Sequence, residues 1–200
     1  MKTRKDPHRS VVPVKIFSPR FPAPQSFFAW IIGFFWLWVF PGILAASDIT
    51  PHPESDVKAA FIFNFTKFVE WPDQDVNSGR LVIGYWGDEN LIDNLKKLDG
   101  RKSLNRHVEV RKISDLCETE KVHVLVISRD RFLDKKTLKE LSERHVLTIS
   151  EGLDSLEKGI ILTLFKEDNK IRFAVNLKSA DLSKLRISSR LLKLARYIAK

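Results

Sequence analysis

The sequence predicts an α/β fold: a mostly parallel sheet with helices on both faces and an antiparallel hairpin at one edge. Three observations carry this expectation. Strand-like and helix-like periods alternate from residue 80 to residue 158, the order that a parallel sheet with crossover helices requires. Lys121–Ser128, KVHVLVIS, is almost continuously apolar, as a strand covered on both faces must be. Ile160–Phe165 and Lys170–Val175 flank Lys166-Glu167-Asp168-Asn169, a polar four-residue turn of the kind that joins a hairpin.

Taken in chain order, the first element is Ser55–Pro72, SDVKAAFIFNFTKFVEWP, which reads as one amphipathic helix. Ser55 is placed to cap it, Asp56 suits the positive end of its dipole, and Pro72 ends it. Val57, Phe61, Phe65 and Phe68 recur at helical spacing, with Trp71 close to the same stripe. Asn64 lies within that stripe, so the expectation is a buried amide bonded to backbone of the next element.

Arg80–Trp86 follows as a strand, Glu89–Leu98 as a helix and Arg106–Lys112 as an alternating strand. After the apolar strand, Lys135–Glu143 reads as a helix with a lysine-rich outer face. His145–Ser150 is a further strand, and Gly152–Lys158 a short helix. The closing helix is drawn by Ile187, Leu191, Leu194, Ala195 and Ile198 at helical intervals, with Ser188 or Ser189 as cap. The expected core contains Phe61, Phe65, Phe68, Val124, Val126, Leu191 and Leu194.

The sequence before residue 55 is of a different kind. Residues 1–26 carry six basic side chains against Asp6 alone, and Phe27–Ala46 is an uncharged run, FFAWIIGFFWLWVFPGILAA. A basic start, an apolar core and small residues at the exit describe a secretory signal. A run of this length also suffices to span a bilayer, so an uncleaved anchor is the alternative. The expected organisation is a signal peptide or anchor over 1–46, a linker over 47–54 and a single domain over 55–200. Both readings place the domain on the far side of the inner membrane, because the basic end stays in the cytoplasm.

That division changes the meaning of the charge. Of the formal net +9, five units belong to the first 26 residues, leaving +4 for the rest. No aromatic-interleaved basic motif appears in an exported domain, so nucleic acid is set aside as a partner. Cys117 is the only cysteine, which precludes an intramolecular disulfide. It reads as a buried or idle thiol; an intermolecular bridge, and with it a homodimer, is the minor reading.

No catalytic constellation emerges. His52, His107, His123 and His145 lie on different elements without ligand spacing, and His123 sits inside an apolar strand where a hydrogen-bonded core role is the simpler reading. Gly84 and Gly87 do not form a phosphate loop, and Ser188-Ser189 has no neighbouring base. Asp88 and Glu89 read as the start of the next helix rather than an acid–base pair. Gly87-Asp88 nevertheless closes a strand, where open α/β sheets bind ligands. The expectation is a protein without catalytic residues, cofactor or metal.

The first helix also carries a resemblance. Its K-A-A-F-I-F-N-F-x-K-F-x-E-W-P run (Lys58, Phe61, Asn64, Phe65, Phe68, Trp71 and Pro72 among its members) resembles the opening of the YfiR-like family of bacterial periplasmic proteins. Four further pieces follow in the family's order: IGYWGD ending in Gly87 and Asp88, LTIS at 147–150, IRFAVN ending in Asn176, and SSRLLKLA with Ser188, Leu191, Leu192, Leu194 and Ala195. The resemblance covers residues 55–198. The chain departs from it in lacking the cysteine pairs of some members, which puts their redox tuning in doubt here, and in having Lys158-Gly159 where many have a glycine pair.

The resemblance implies a periplasmic role without catalysis. The family's namesake represses a membrane-bound diguanylate cyclase by binding its periplasmic sensor domain, and an outer-membrane lipoprotein can sequester that repressor. Other relatives stand beside sensor kinases and outer-membrane transport systems. The expected partner is therefore an inner-membrane signalling protein, a diguanylate cyclase before a sensor kinase. Basic faces at Lys135, Lys136, Lys139 and Arg190 are available for such a contact, with Phe63 and Trp86 as exposed apolar anchors. Ordinary packing of those two rings is the competing reading.

Overall fold

The computed structural model describes residues 53–72, 79–87 and 89–200. The segment expected to be a signal or anchor over 1–46 and Asp88 lie outside the described residues, as does most of the expected linker over 47–54. Thr50–Lys200 forms a compact unit of its own.

Its centre is an eight-stranded sheet. The elements run α1 (Glu54–Phe65), β1 (Val69–Glu70), β2 (Arg80–Trp86), α2 (Glu89–Lys96), β3 (Lys102–Ser103) and β4 (Arg106–Lys112), then a 3-10 turn at Leu116–Lys121. After it come β5 (Val124–Ile127), α3 (Lys135–Glu143), β6 (Leu147–Glu151), α4 (Asp154–Glu157), β7 (Leu162–Glu167) and β8 (Lys170–Asn176). The chain closes with α5 (Leu177–Leu182), β9 (Arg186–Ile187), α6 (Ser189–Leu192) and β10 (Tyr197–Ala199). The strand order is β10-β8-β7-β6-β5-β2-β4-β3, with β1 and β9 paired apart. From β4 to β7 every neighbour is parallel, while β7–β8 is the antiparallel hairpin. The fold class is the one expected.

Continuous apolar strands are explained by two cores. Leu81 and Ile83, Val124 and Val126, and Leu147 and Ile149 face α1 and α2, meeting Ile62, Phe65, Leu91 and Leu95. Val82, Leu125 and Ile127 face the other way, meeting Leu141 of α3, Val146 and Ile160. Period-two alternation thus loads both faces of the same strands.

The first helix differs from expectation in length and in face. It ends at Phe65, and the chain then tightens through Lys67 N–H to Asn64 O and Phe68 N–H to Phe65 O, each 3.0 Å. Thr66 shares a 2.6 Å hydrogen bond with Ser103. Val69 and Glu70 pair with Ile187 and Arg186, so the Val-Glu-Trp-Pro end is extended rather than helical. Ser55 does not cap α1; its Oγ accepts from Asn94 Nδ2 at 2.6 Å. The buried face is Ala59, Ile62, Phe63, Phe65 and Thr66, while Phe61 and Phe68 are half-buried. Asn64 is exposed, correcting the expected buried tie, and its side chain accepts from Lys67. Apolar residues at 59–63 almost encircle the helix, so no period in them selects one face.

The closing helix is the larger correction. Ser188 does cap α6, but the helix stops at Leu192. Arg196 N–H donates to Phe173 O at 2.8 Å, and Tyr197–Ala199 then runs parallel to β8 as an edge strand. Tyr197 stacks on Phe165 with centroids 5.7 Å apart. Leu191 is in the core, Leu192 and Ala195 are half-buried, and Leu194 is 70% exposed rather than buried. Helical spacing and a short helix followed by a strand place the same leucines in register, and backbone pairing to β8 decides between them.

Candidate functional site

Open α/β sheets bind ligands beyond the carboxyl ends of their strands, where the winding reverses direction. Here β2 is followed in space by β4 on one side and β5 on the other, so the reversal lies at Trp86-Gly87 and Ser128-Arg129. A cleft of about 300 Å³ opens there, lined by Lys58, Tyr85, Ser128, Arg129 and Glu151 among others. Gly87, beside the Tyr85 and Ser128 that line it, has no room for a side chain, because an added Cβ would overlap that of Ser128.

The cleft is charged and internally paired. Lys58, whose side chain is 15% exposed, lies 2.8 Å from Glu54 and 2.7 Å from Glu151. Burial works against its ammonium, but the hydrogen bonds it donates to Glu151 and Glu54 outweigh that and hold the lysine above its ordinary 10.5. The hydrogen bond from Lys58, helped by Lys166, holds Glu54 below its ordinary 4.5. Glu54 therefore stabilises the fold above pH 4.5 and loses this as pH falls through its depressed value. Lys58 contributes fully below pH 10.5 and loses this as pH rises through its raised value. Lys58→Met is expected to lower Tm most between those limits, with the difference from wild type shrinking in acid. A Tm difference independent of pH between 3 and 7 would contradict this role for the pair.

The residues expected to meet a partner are placed differently from one another. Lys135, Lys136 and Lys139 are exposed on α3, where Asp134 caps the helix by accepting from Thr137 N–H at 2.7 Å. Lys136 and Lys139 make loose contacts of 3.9 and 3.8 Å with Glu140 and Glu143. Arg190 is exposed on α6 and does not share a helical basic face with Lys193 and Arg196, because the helix ends between them. Phe63 is not an exposed anchor: it is 7% exposed, with Lys67 4.3 Å and Arg101 4.9 Å above its ring. Trp86 is half-buried against the second core, under Arg131 at 5.4 Å.

Several residues of the quoted motifs have structural work. Phe61 and Phe65 meet Phe173 at 6.0 and 5.0 Å. Trp71 is buried with Arg106 4.6 Å above its ring. Asn176 caps α5 by accepting from Ser179 N–H at 2.9 Å and donates to Leu156 O at 3.0 Å. His123 Nδ1 accepts from Val82 N–H at 3.1 Å, locking two strands together. Cys117 is exposed rather than buried, and the adjacent Asp115 pushes its thiol pKa up, away from a reactive thiolate. Among the described residues no group of His, Cys, Asp and Glu could hold a metal ion, and no helix is long and apolar enough to cross a membrane. Sequence reading missed Arg129 and Glu151 in the cleft, and Leu182 on α5. Ser128, as the end of a predicted strand, was the available pointer to the first two.

Comparison with known proteins adds a family. The model of the family described as YfiR/HmsC-like matches residues 55–196. No curated protein matches. Among solved structures, the chain is similar to the ABC domain of a Streptococcus pneumoniae protein in complex with L-Trp, at 10% identity and a TM-score of 0.43. That likeness covers 72% of this chain and 60% of the other, so this chain spans less than two thirds of that structure's length.

Proposed function

This chain belongs to the YfiR/HmsC-like family, and from that premise we propose that it inhibits an inner-membrane diguanylate cyclase by direct contact with the cyclase's periplasmic domain. At the family level these proteins are periplasmic, non-catalytic regulators of cyclic di-GMP signalling. The match over residues 55–196 is the observation that carries the reading. The exposed lysines of α3 supply a surface suited to a protein contact.

On this reading residues 1–46 direct export, 47–54 link, and 55–200 form the regulatory domain that works in the periplasm without turnover. An outer-membrane lipoprotein that sequesters the domain would relieve inhibition, and a homodimer remains compatible with the lone exposed thiol. A second reading, favoured by the cleft around Lys58, Arg129 and Glu151, is a ligand-capture or sensor module working with a histidine kinase or an outer-membrane transport system.

Crosslinking in living cells followed by affinity capture from solubilised membranes separates these readings. A membrane-spanning diguanylate cyclase is the expected adduct. A histidine kinase or a β-barrel receptor in its place would overturn the cyclase assignment. A reporter fused after Lys200 that is active only in the cytoplasm would overturn export.

A further inference from the structure

We infer that the groove between α3 and α5 is the docking site for an acidic segment of a partner protein, which inserts one large apolar side chain between the two helices. The inference rests on the proposed regulatory contact for the existence of a partner, and adds where and by what chemistry it binds. The groove encloses about 250 Å³ over a floor of Leu138, Val146 and Ile161, with Lys135 and Lys139 on one rim and Leu182 on the other. Leu182 is 67% exposed. On its far side a second hollow is bounded by Leu177, Lys178 and Lys200. An apolar ridge thus stands between two pairs of ammonium groups, with Asp181 as the carboxylate beside it.

Two features select the occupant. Lys135, Lys178 and Lys200 have no ion-pair partner among the described residues, and Lys139 meets Glu143 at 3.8 Å, so the four ammonium groups outnumber Asp181, the carboxylate that lines the second hollow with them. Carboxylates flanking an apolar residue complement that rim. The groove also has the right size: a volume near 250 Å³ accommodates one large side chain, the usual form of an interface anchor. A flat lipid surface would cover Leu182 without reaching Leu138 or Ile161.

The test uses the exported protein purified from the periplasm and a helical probe peptide of about 20 residues built from Leu, Ala and Glu, against the same peptide with Lys for Glu. The acidic peptide is expected to bind at least about tenfold more tightly, to weaken in about 0.5 M salt, and to shift the methyl resonances of Leu138, Val146, Ile161 and Leu182. Leu182→Asp and Lys139→Glu should each weaken binding about tenfold or more with Tm unchanged, since both side chains are exposed. Equal binding of the two peptides, or shifts confined to another face, would overturn the inference. So would binding to phosphatidylglycerol vesicles without peptide binding, or self-association abolished by Leu182→Asp in a protein that ignores the peptide. Should crosslinking find no cyclase, the functional reading fails while the peptide result stands; should the peptide fail while a cyclase is captured, only the groove is lost.

Discussion

Phe65→Ala is expected to lower the unfolding free energy by about 3–5 kcal/mol, the cost of deleting a fully buried ring that neighbours cannot collapse to replace. Phe65 is 1% exposed, at the last turn of α1, with Phe173 of β8 at 5.0 Å and Phe61 at 5.9 Å. Its ring is the bridge between the first helix and the hairpin side of the sheet. A domain of this size has roughly 5–15 kcal/mol of stability, so the loss would remove a large fraction of it. Urea denaturation is the measurement. Leu194→Ala, at a position 70% exposed, should cost less than about 0.5 kcal/mol in the same assay. A loss below about 1 kcal/mol for Phe65→Ala, or a larger one for Leu194→Ala, would contradict the packing described.

Gly87→Ala is expected to cost about 1–3 kcal/mol, through overpacking rather than a cavity. The added methyl would overlap the Ser128 Cβ and come within 2.9 Å of the Tyr85 hydroxyl. Neither chain can retreat easily, because Ser128 N–H donates to Trp86 O at 3.0 Å and fixes the two strand ends together. Gly84→Ala makes the informative comparison. There a Cβ would approach Ile113 Cγ1 at 2.9 Å and Val122 Cγ2 at 3.1 Å, a smaller overlap than the one with Ser128 Cβ at Gly87. Thermal unfolding should therefore rank Gly87→Ala as the more damaging, and an unchanged Tm for Gly87→Ala would show that the strand ends are not held in close contact.

Much of the fold is legible in the sequence because its strands are long runs of Val, Ile and Leu. Leu81–Trp86 and Val124–Ile127 are apolar on both faces, and only a doubly covered parallel sheet accommodates that. α3 is legible for the opposite reason: Leu138 and Leu141 stand alone among lysines and glutamates. What fails are places where local pattern is ambiguous and distant backbone decides. Residues 187–198 satisfy helical spacing, yet pairing with β8 draws Tyr197–Ala199 into a strand. β1 and β9 are two residues each and exist only because they meet. α5 is six residues long, and Asn176 rather than any apolar period marks its start.

The sites were less legible than the fold, since each is assembled from distant positions. Lys58 and Glu151 are 93 residues apart and touch only through the topology. The exposed basic residues of α3 are visible in sequence, but nothing there brings Leu182 beside them. Phe63 illustrates the reverse: it reads as a surface anchor because aromatics dominate interface hot spots, yet it is packed in the core, with Lys67 and Arg101 closing over its ring.

The central claim, inhibition of a cyclase from the periplasm, is met most directly by intracellular cyclic di-GMP in a strain from which this gene is deleted. Cyclic di-GMP is expected to rise, to fall again when the full chain is restored, and not to fall with a chain lacking residues 1–46, which would remain on the wrong side of the membrane. A level unchanged by deletion under several growth conditions, or lowered equally well by the unexported chain, would contradict it.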